Sequence, residues 1–345
     1  FARCQFVHLS SFPGWLSAGP ADFCQESVWA VDWVRMSTET NTRLHLGAPQ
    51  ISGPLAVYPI FGPEANFRYR SLRDAVSQGV FISEVQSRAS VNTVTVTNAS
   101  DRPVLLYEGE LITGAQQNRT IDQPVLVPAA AKLDVAVSCV EHGRWDHSRH
   151  GQSSSVSARM SHPGLRAVKR AAANRNRDAG LAARPDQGEV WAVVGASLYR
   201  HGVESMSDAF TDLFEAKDQW LAEIRGEIRG QDGQLGAVAQ INARPVASDL
   251  ANRPEVFAYL LPGLLDGYAL QALDAIDETR AEPHQASDTA ALDFFDMVIS
   301  SRGRWLPTVG MGDAFTPTRR RINGCGLRAE GELVALSAFP AKAAA

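Results

Sequence analysis

The sequence predicts an α+β fold, an antiparallel or mixed β-sheet core whose N- and C-terminal strands bracket a helical middle region. Three observations predict it. Short alternating apolar runs bounded by turn residues occupy roughly 55–141, helical spacing dominates from 186 to 300, and strand-like runs return after 305. Strands, then helices, then strands is not the regular alternation that builds a parallel α/β sheet. Of 345 residues 45% are hydrophobic, ample for a core.

Residues 1–35 read differently from the rest. They hold Trp15, Trp29 and Trp33 without a sustained period, and Met36 opens the polar string MSTETNTR. They are expected to be a non-native or disordered extension, with translation starting at Met36. Leu55 to Phe61 then reads as a strand ended by Gly62-Pro63. Ser71 to Asp74 reads as a capping box opening the short helix LRDAVSQG, with Gly79 as its stop. Val80–Val85 and Val91–Thr97 alternate as strands, and NASDRP is a turn.

The run 104–112 reads as one internal strand, with Val104, Leu106, Glu108, Glu110 and Ile112 on one face. Carboxylates there are costly unless paired or open to a cleft. The run 133–141 places Leu133, Val135, Val137, Cys139 and Glu141 on one face, next to the turn His142-Gly143-Arg144-Trp145. From Arg149 to Arg184 eight Lys or Arg face a single acid, Asp178. The segment 147–185 is therefore expected to be a basic, mobile loop and helix insertion, solvated along its charged face. Helices are expected over 186–199, 207–228, 254–278 and 288–300, with a kink at Pro262-Gly263, and a strand over 234–242. Strands over 305–309, 321–327 and 332–339 close the chain.

The net charge of −5 and pI near 5.9 make a nucleic-acid-binding surface unexpected. No continuous apolar run reaches the roughly eighteen residues of a membrane helix, so a cytoplasmic protein that engages no membrane is expected. Cys139 and Cys325 are expected as reduced thiols, since no C-x-x-C pair or dense spacing suggests a disulfide framework. Cys139, Glu141, His142, His147 and His150 could be assembled into a metal site, but their spacing fits no zinc signature and none is assigned. GxxxxGK[ST], GxGxxG and GxSxG are absent from the sequence.

The strings GELITGAQQNR, VLVPA, SCVEHGRW, QGEVW and ELVALSAF resemble a family of prokaryotic proteins named for its association with ADP-ribosylglycohydrolases and the rhodanese-phosphatase superfamily. The resemblance runs from about Gly53 to Phe339 and implies one domain over 53–340, working near ADP-ribose, NAD or phosphate-ester metabolism. The family's polar positions fall on Glu110, Gln117, Arg119, Cys139, Glu141, Arg144, Trp145, Gln187 and Glu189. On the residues themselves, Arg119 and Arg144 suit an anionic ligand, and Gln116, Gln117 and Asn118 suit an amide or ribose edge. Trp145 suits stacking, whereas Gln187 and Glu189 open a helix. Glu110 and Glu141 are candidate acid and base for hydrolysis, with Cys139 as an optional nucleophile. The competing reading makes both carboxylates structural salt bridges to Arg119 and Arg144 and Cys139 a buried hydrophobe. The expected partner is a small anionic ligand, ADP-ribose or a nucleotide; the alternative is a non-catalytic ligand-binding or adaptor protein that acts beside ADP-ribose or phosphate-ester enzymes. The residues leave the cofactor unknown.

Overall fold

A computed structural model of the protein describes residues 44–85, 90–149, 152–278, 286–317 and 321–341. The extension expected over 1–35 lies outside them, as does His150. In chain order the first strands are β1 (His45–Leu46), β2 (Gln50–Ser52), β3 (Leu55–Phe61), β4 (Arg70–Ser71), β5 (Val80–Glu84) and β6 (Thr93–Asn98). Next come β7 (Val104–Leu106), β8 (Glu110–Gly114), β9 (Arg119–Ile121), β10 (Val125–Val127), β11 (Ala131–Cys139) and β12 (Ser153–Met160). The later strands are β13 (Gly236–Ile241), β14 (Arg244–Ala251), β15 (Gly303–Pro307), β16 (Asp313–Pro317), β17 (Ile322–Ala329) and β18 (Glu332–Pro340). The helices are α1 (Leu72–Ala75), α2 (Pro163–Asp178), α3 (Gln187–Arg200), α4 (Phe210–Ala216), α5 (Asp218–Glu227), α6 (Pro254–Glu278) and α7 (Asp288–Ile299).

The strands sort into a closed barrel, a large sheet and a small one. The barrel runs β11-β6-β5-β12-β8-β9. The large sheet runs β1-β3-β13-β14-β18-β17-β16-β15, with β2 also on β3. The last strands therefore rejoin the sheet of the first, as the strand–helix–strand order predicts. In the small sheet, β10-β7-β4, only the β4–β7 pair is parallel. Alternation fills the barrel, where Ile82, Val94, Val96, Ile112, Val135 and Val137 form its apolar core. A second core lies between the large sheet and the helices, with Val256, Phe257, Leu260, Leu264 and Tyr268 of α6 buried in it. Ser71 caps α1 by accepting a hydrogen bond from the Asp74 N–H, and Gly79 ends the turn after it at φ 89°.

The structure corrects several expectations. The run 104–112 is two strands in different sheets, because Gly109 turns the chain at φ 93° between β7 and β8. A Cβ at Gly109 would lie 2.7 Å from Nε of Arg166, so glycine is required twice over. The helix expected over 207–228 is broken at Lys217 into α4 and α5. β14 and β16 were not expected. Pro262 sits inside α6 without ending it.

Two corrections bear on function. Within 147–185, β12 is a barrel strand, and Arg166, Lys169 and Arg170 of α2 are buried rather than solvated. Pro254–Asp274 is long and apolar enough to cross a membrane by length and composition, despite its few charged residues. It is largely buried against the rest of the fold, as a core helix is.

Candidate functional site

The turn between β8 and β9 organises one end of the barrel. Gly114 and Ala115 both take positive φ, 91° and 46°, which bends the chain tightly enough to present Asn118. Asn118 Oδ1 accepts from the Gly114 N–H at 3.0 Å and from Arg144 Nη2 at 3.1 Å, while its Nδ2 donates to Thr211 Oγ1 at 3.2 Å. Arg144 donates to the Ala115 carbonyl at 2.8 Å. It also grips Glu141 through Nε at 2.7 Å and Nη2 at 2.6 Å. Glu141 receives two further hydrogen bonds, from the Asn118 N–H at 2.9 Å and the Ser207 hydroxyl at 2.8 Å. Each carboxylate oxygen thus has two donors, its full complement. Burial opposes the charge, but these bonds outweigh it and hold the Glu141 carboxyl below its usual range.

The other expected site residues are distributed around this hub. Arg119 is fully buried and donates to both oxygens of Glu84 at 2.9 Å, and to the carbonyls of Gln117, Ser90 and Val91. That accounts for all five of its N–H groups. Its partner is therefore Glu84 and not Glu110. Half-buried Trp145 lies 6.0 Å from the Arg119 guanidinium and meets His147 edge-on. Gln117 donates to the Arg144 carbonyl at 3.3 Å; its Oε1, and both polar atoms of the buried Gln116 amide, have no hydrogen-bond partner among the described residues.

Cys139 is buried, and its Sγ donates to the Glu141 carbonyl while accepting from the Glu141 N–H. Burial pushes the thiol up, away from the thiolate that a nucleophile needs. Gln187 bonds both backbone groups of Cys139, accepting from its N–H at 2.9 Å and donating to its carbonyl at 2.8 Å. It thereby docks α3 on the end of β11. Glu189 instead pairs with Arg175 at 2.5 Å on the exterior.

Glu110 lies apart from this hub. Its Oε2 accepts from the Tyr107 N–H at 2.6 Å, and among the described residues no cation bonds to it. Burial pushes its carboxyl up to about 8, against the weaker opposing effects of that N–H and of Arg73. Glu110 and Glu141 share no hydrogen-bonding partner among the described residues.

Next to the hub is a cleft of about 380 Å³ lined by Thr113, Asn118, Ser157, Arg159, Thr211, Phe214 and Glu215. It brings together β8, β12 and α4. Arg159 is paired with Asp218 and Asp266, and its guanidinium sits 5.8 Å from the Phe214 ring. The cleft therefore offers hydroxyls, an amide, an aromatic face and the Glu215 carboxylate, with its cation already neutralised. Sequence reasoning missed every lining residue except Asn118. Isolated Ser and Thr on strands carry no motif, and their convergence depends on the barrel closing.

A second polar assembly is sealed between the barrel and the large sheet. Arg166 donates to Glu108 at 2.7 Å and to Asp249 at 2.5 and 3.1 Å. Asp249 also accepts from the hydroxyls of Tyr107 at 2.9 Å and Tyr268 at 2.6 Å. Lys169 lies 3.7 Å from Glu108 and 3.4 Å from Asp122, and Arg170 donates to the Asp122 carbonyl. One signal for this burial was present in the sequence. Arg166, Lys169 and Arg170 recur at helical spacing among Leu165, Ala172 and Ala173, which are buried. Among the described residues, no group of three or more His, Cys, Asp or Glu side chains is placed to hold a metal ion.

No curated protein and no solved structure matches this chain. Residues 43–339 match a family model, and that span includes every strand of the barrel and the hub around Glu141. The chain belongs to the family described as the ARG and Rhodanese-Phosphatase-superfamily-associated Protein domain.

Proposed function

We propose that the protein is a cytoplasmic binding module for a ribosyl ligand, a nucleotide or an ADP-ribose derivative, seated in the cleft beside Asn118. The observation that carries this reading is the composition of the cleft. Thr113, Ser157 and Thr211 supply hydroxyls, Asn118 an amide and Phe214 an apolar face. Such a lining suits a sugar, whose hydroxyls need directional partners and whose ring carbons need a nonpolar surface. Arg144 and Arg159 are both committed to carboxylates. Recognition therefore rests on the sugar, and the phosphates of the ligand face the open side. The family's association with ADP-ribosylglycohydrolases and the rhodanese-phosphatase superfamily supports a ribosyl ligand.

Binding is better supported than hydrolysis. Glu141 is saturated with donors and has no lone pair left for a water, so its role is to position Asn118 and Arg144. Glu110 has the acid's raised pKa but is anchored on the far side of the β7–β8 turn. The test is calorimetric titration with ADP-ribose, ribose 5-phosphate and NAD, with chromatography of each mixture for products. Saturable binding without turnover, weakened in Thr211→Val, is the expected result. Turnover would restore the hydrolase reading. A folded protein that binds none of the three would overturn the ribosyl reading and favour the adaptor that engages a protein.

A further inference from the structure

We propose that Lys169 and Asp122 condense into an internal amide, a covalent link between α2 and the end of β9. The geometry holds the reacting groups together. Lys169 Nζ lies 3.4 Å from Asp122 Oδ1, and it is aimed by donating to the Ile121 carbonyl at 2.7 Å and the Thr120 hydroxyl at 3.3 Å. The lysine side chain is fully buried and the aspartate side chain 7% exposed. The fold holds the amine against the carboxyl group, so the two need not meet by diffusion and much of the entropic cost of their reaction is already met.

Glu108 is placed to take the proton of the ammonium. Glu108 Oε1 lies 3.7 Å from Lys169 Nζ and is a buried carboxylate oxygen with no hydrogen-bond partner. Its other oxygen, Oε2, is held by Arg166. Oε1 is thus a free acceptor beside the ammonium. Ser138 donates to Asp122 Oδ1 at 2.7 Å, where negative charge develops as the amine adds. Arg170 adds a buried cation beside Asp122, through its contact with the backbone carbonyl.

The steps balance without a co-reactant. One proton moves from the Lys169 ammonium through Glu108 to the Asp122 carboxylate, giving the neutral amine and acid. Burial, which pushes the Asp122 carboxyl up, favours this neutral form. The amine lone pair forms the N–Cγ bond of Asp122, and the Cγ–O bond to the hydroxyl breaks. A second proton leaves nitrogen through Glu108 to the departing oxygen, so one water is released and Glu108 ends as a carboxylate. The driving force is electrostatic: a buried ion pair, costly to keep out of water, becomes a neutral amide.

Intact mass of the purified, denatured chain decides the matter, because it depends on no variant. The expected result is a chain lighter than its sequence by one water. Proteolysis should then yield a branched peptide joining the segment of Asp122 to that of Lys169. A chain of full sequence mass, or Asp122 and Lys169 recovered only in separate linear peptides, would overturn the proposal. Glu108→Gln, nearly isosteric, should show the full sequence mass in the protein that circular dichroism finds folded. A Glu108→Gln chain as light as wild type would remove Glu108 from the mechanism.

Discussion

At the barrel mouth, Glu141 and Arg144 keep contact with solvent through a guanidinium 22% exposed, whereas Glu108, Arg166 and Asp249 are sealed between barrel and sheet with none above 1%. The residue types are the same, but the consequences differ. At the mouth a carboxylate shapes a turn, and water can partly replace a lost partner. In the sealed assembly only the other members can satisfy each charge, so each member requires all the rest. Glu110, two residues after Glu108, is the control within the comparison. It is equally buried but has no bonded cation, and its pKa moves up to about 8 while that of Glu108 moves down. Burial raises both; the two Arg and one Lys around Glu108 reverse the result.

The comparison is broken most severely at Arg166. Arg166→Met should leave Glu108 and Asp249 without their shared guanidinium and cost about 3–5 kcal/mol, read as a large loss of midpoint in denaturant unfolding. A loss below about 1 kcal/mol would show that the sealed assembly tolerates an open position.

Glu110 gives the next effect, through pH. Its folded pKa is raised, so the native state holds the proton more tightly than the unfolded chain. Its contribution is fully present below the ordinary carboxyl pKa and is lost as pH rises through about 8. Glu110→Gln, which can still accept from the Tyr107 N–H, should flatten that decline. Melting curves from pH 5 to pH 8 that keep the wild-type slope would contradict the assignment.

Arg144→Ala should cost about 2 kcal/mol, the scale of charged hydrogen bonds with some solvent replacement. It should also weaken ligand binding, because Asn118 loses a partner. Thr211→Val is the smallest change. It should alter stability by less than about 1 kcal/mol, the net worth of one neutral hydrogen bond, yet lower ribosyl-ligand affinity about tenfold, or about 1.4 kcal/mol. Equal affinity in the two proteins would place the ligand elsewhere.

Much of the fold was legible from local signals. A short apolar run marked β3, alternation marked β5, β6 and β11, helical spacing marked α3, α6 and α7, and the Ser71 cap marked α1. The segment 104–112 was misread because alternation continues unbroken across Gly109, and only the positive φ there separates β7 from β8. At the candidate site, the words containing Gln117, Arg119, Glu141, Arg144 and Trp145 all fall at one end of the barrel. They did not say which arginine was already paired. Glu84 lies far from Arg119 in the chain and reaches it only because β5 and β9 belong to one closed barrel.

Local sequence set the type of most elements and their order, because propensity, capping and hydrophobic period act over a few residues. Tertiary structure decided which charges are buried and with whom. The desolvation of Lys169 or Glu110 depends on what packs over it, and its compensation depends on groups from distant segments. The run from Arg166 to Arg170, which reads as a solvated basic face, is for that reason the inner wall of the sealed assembly.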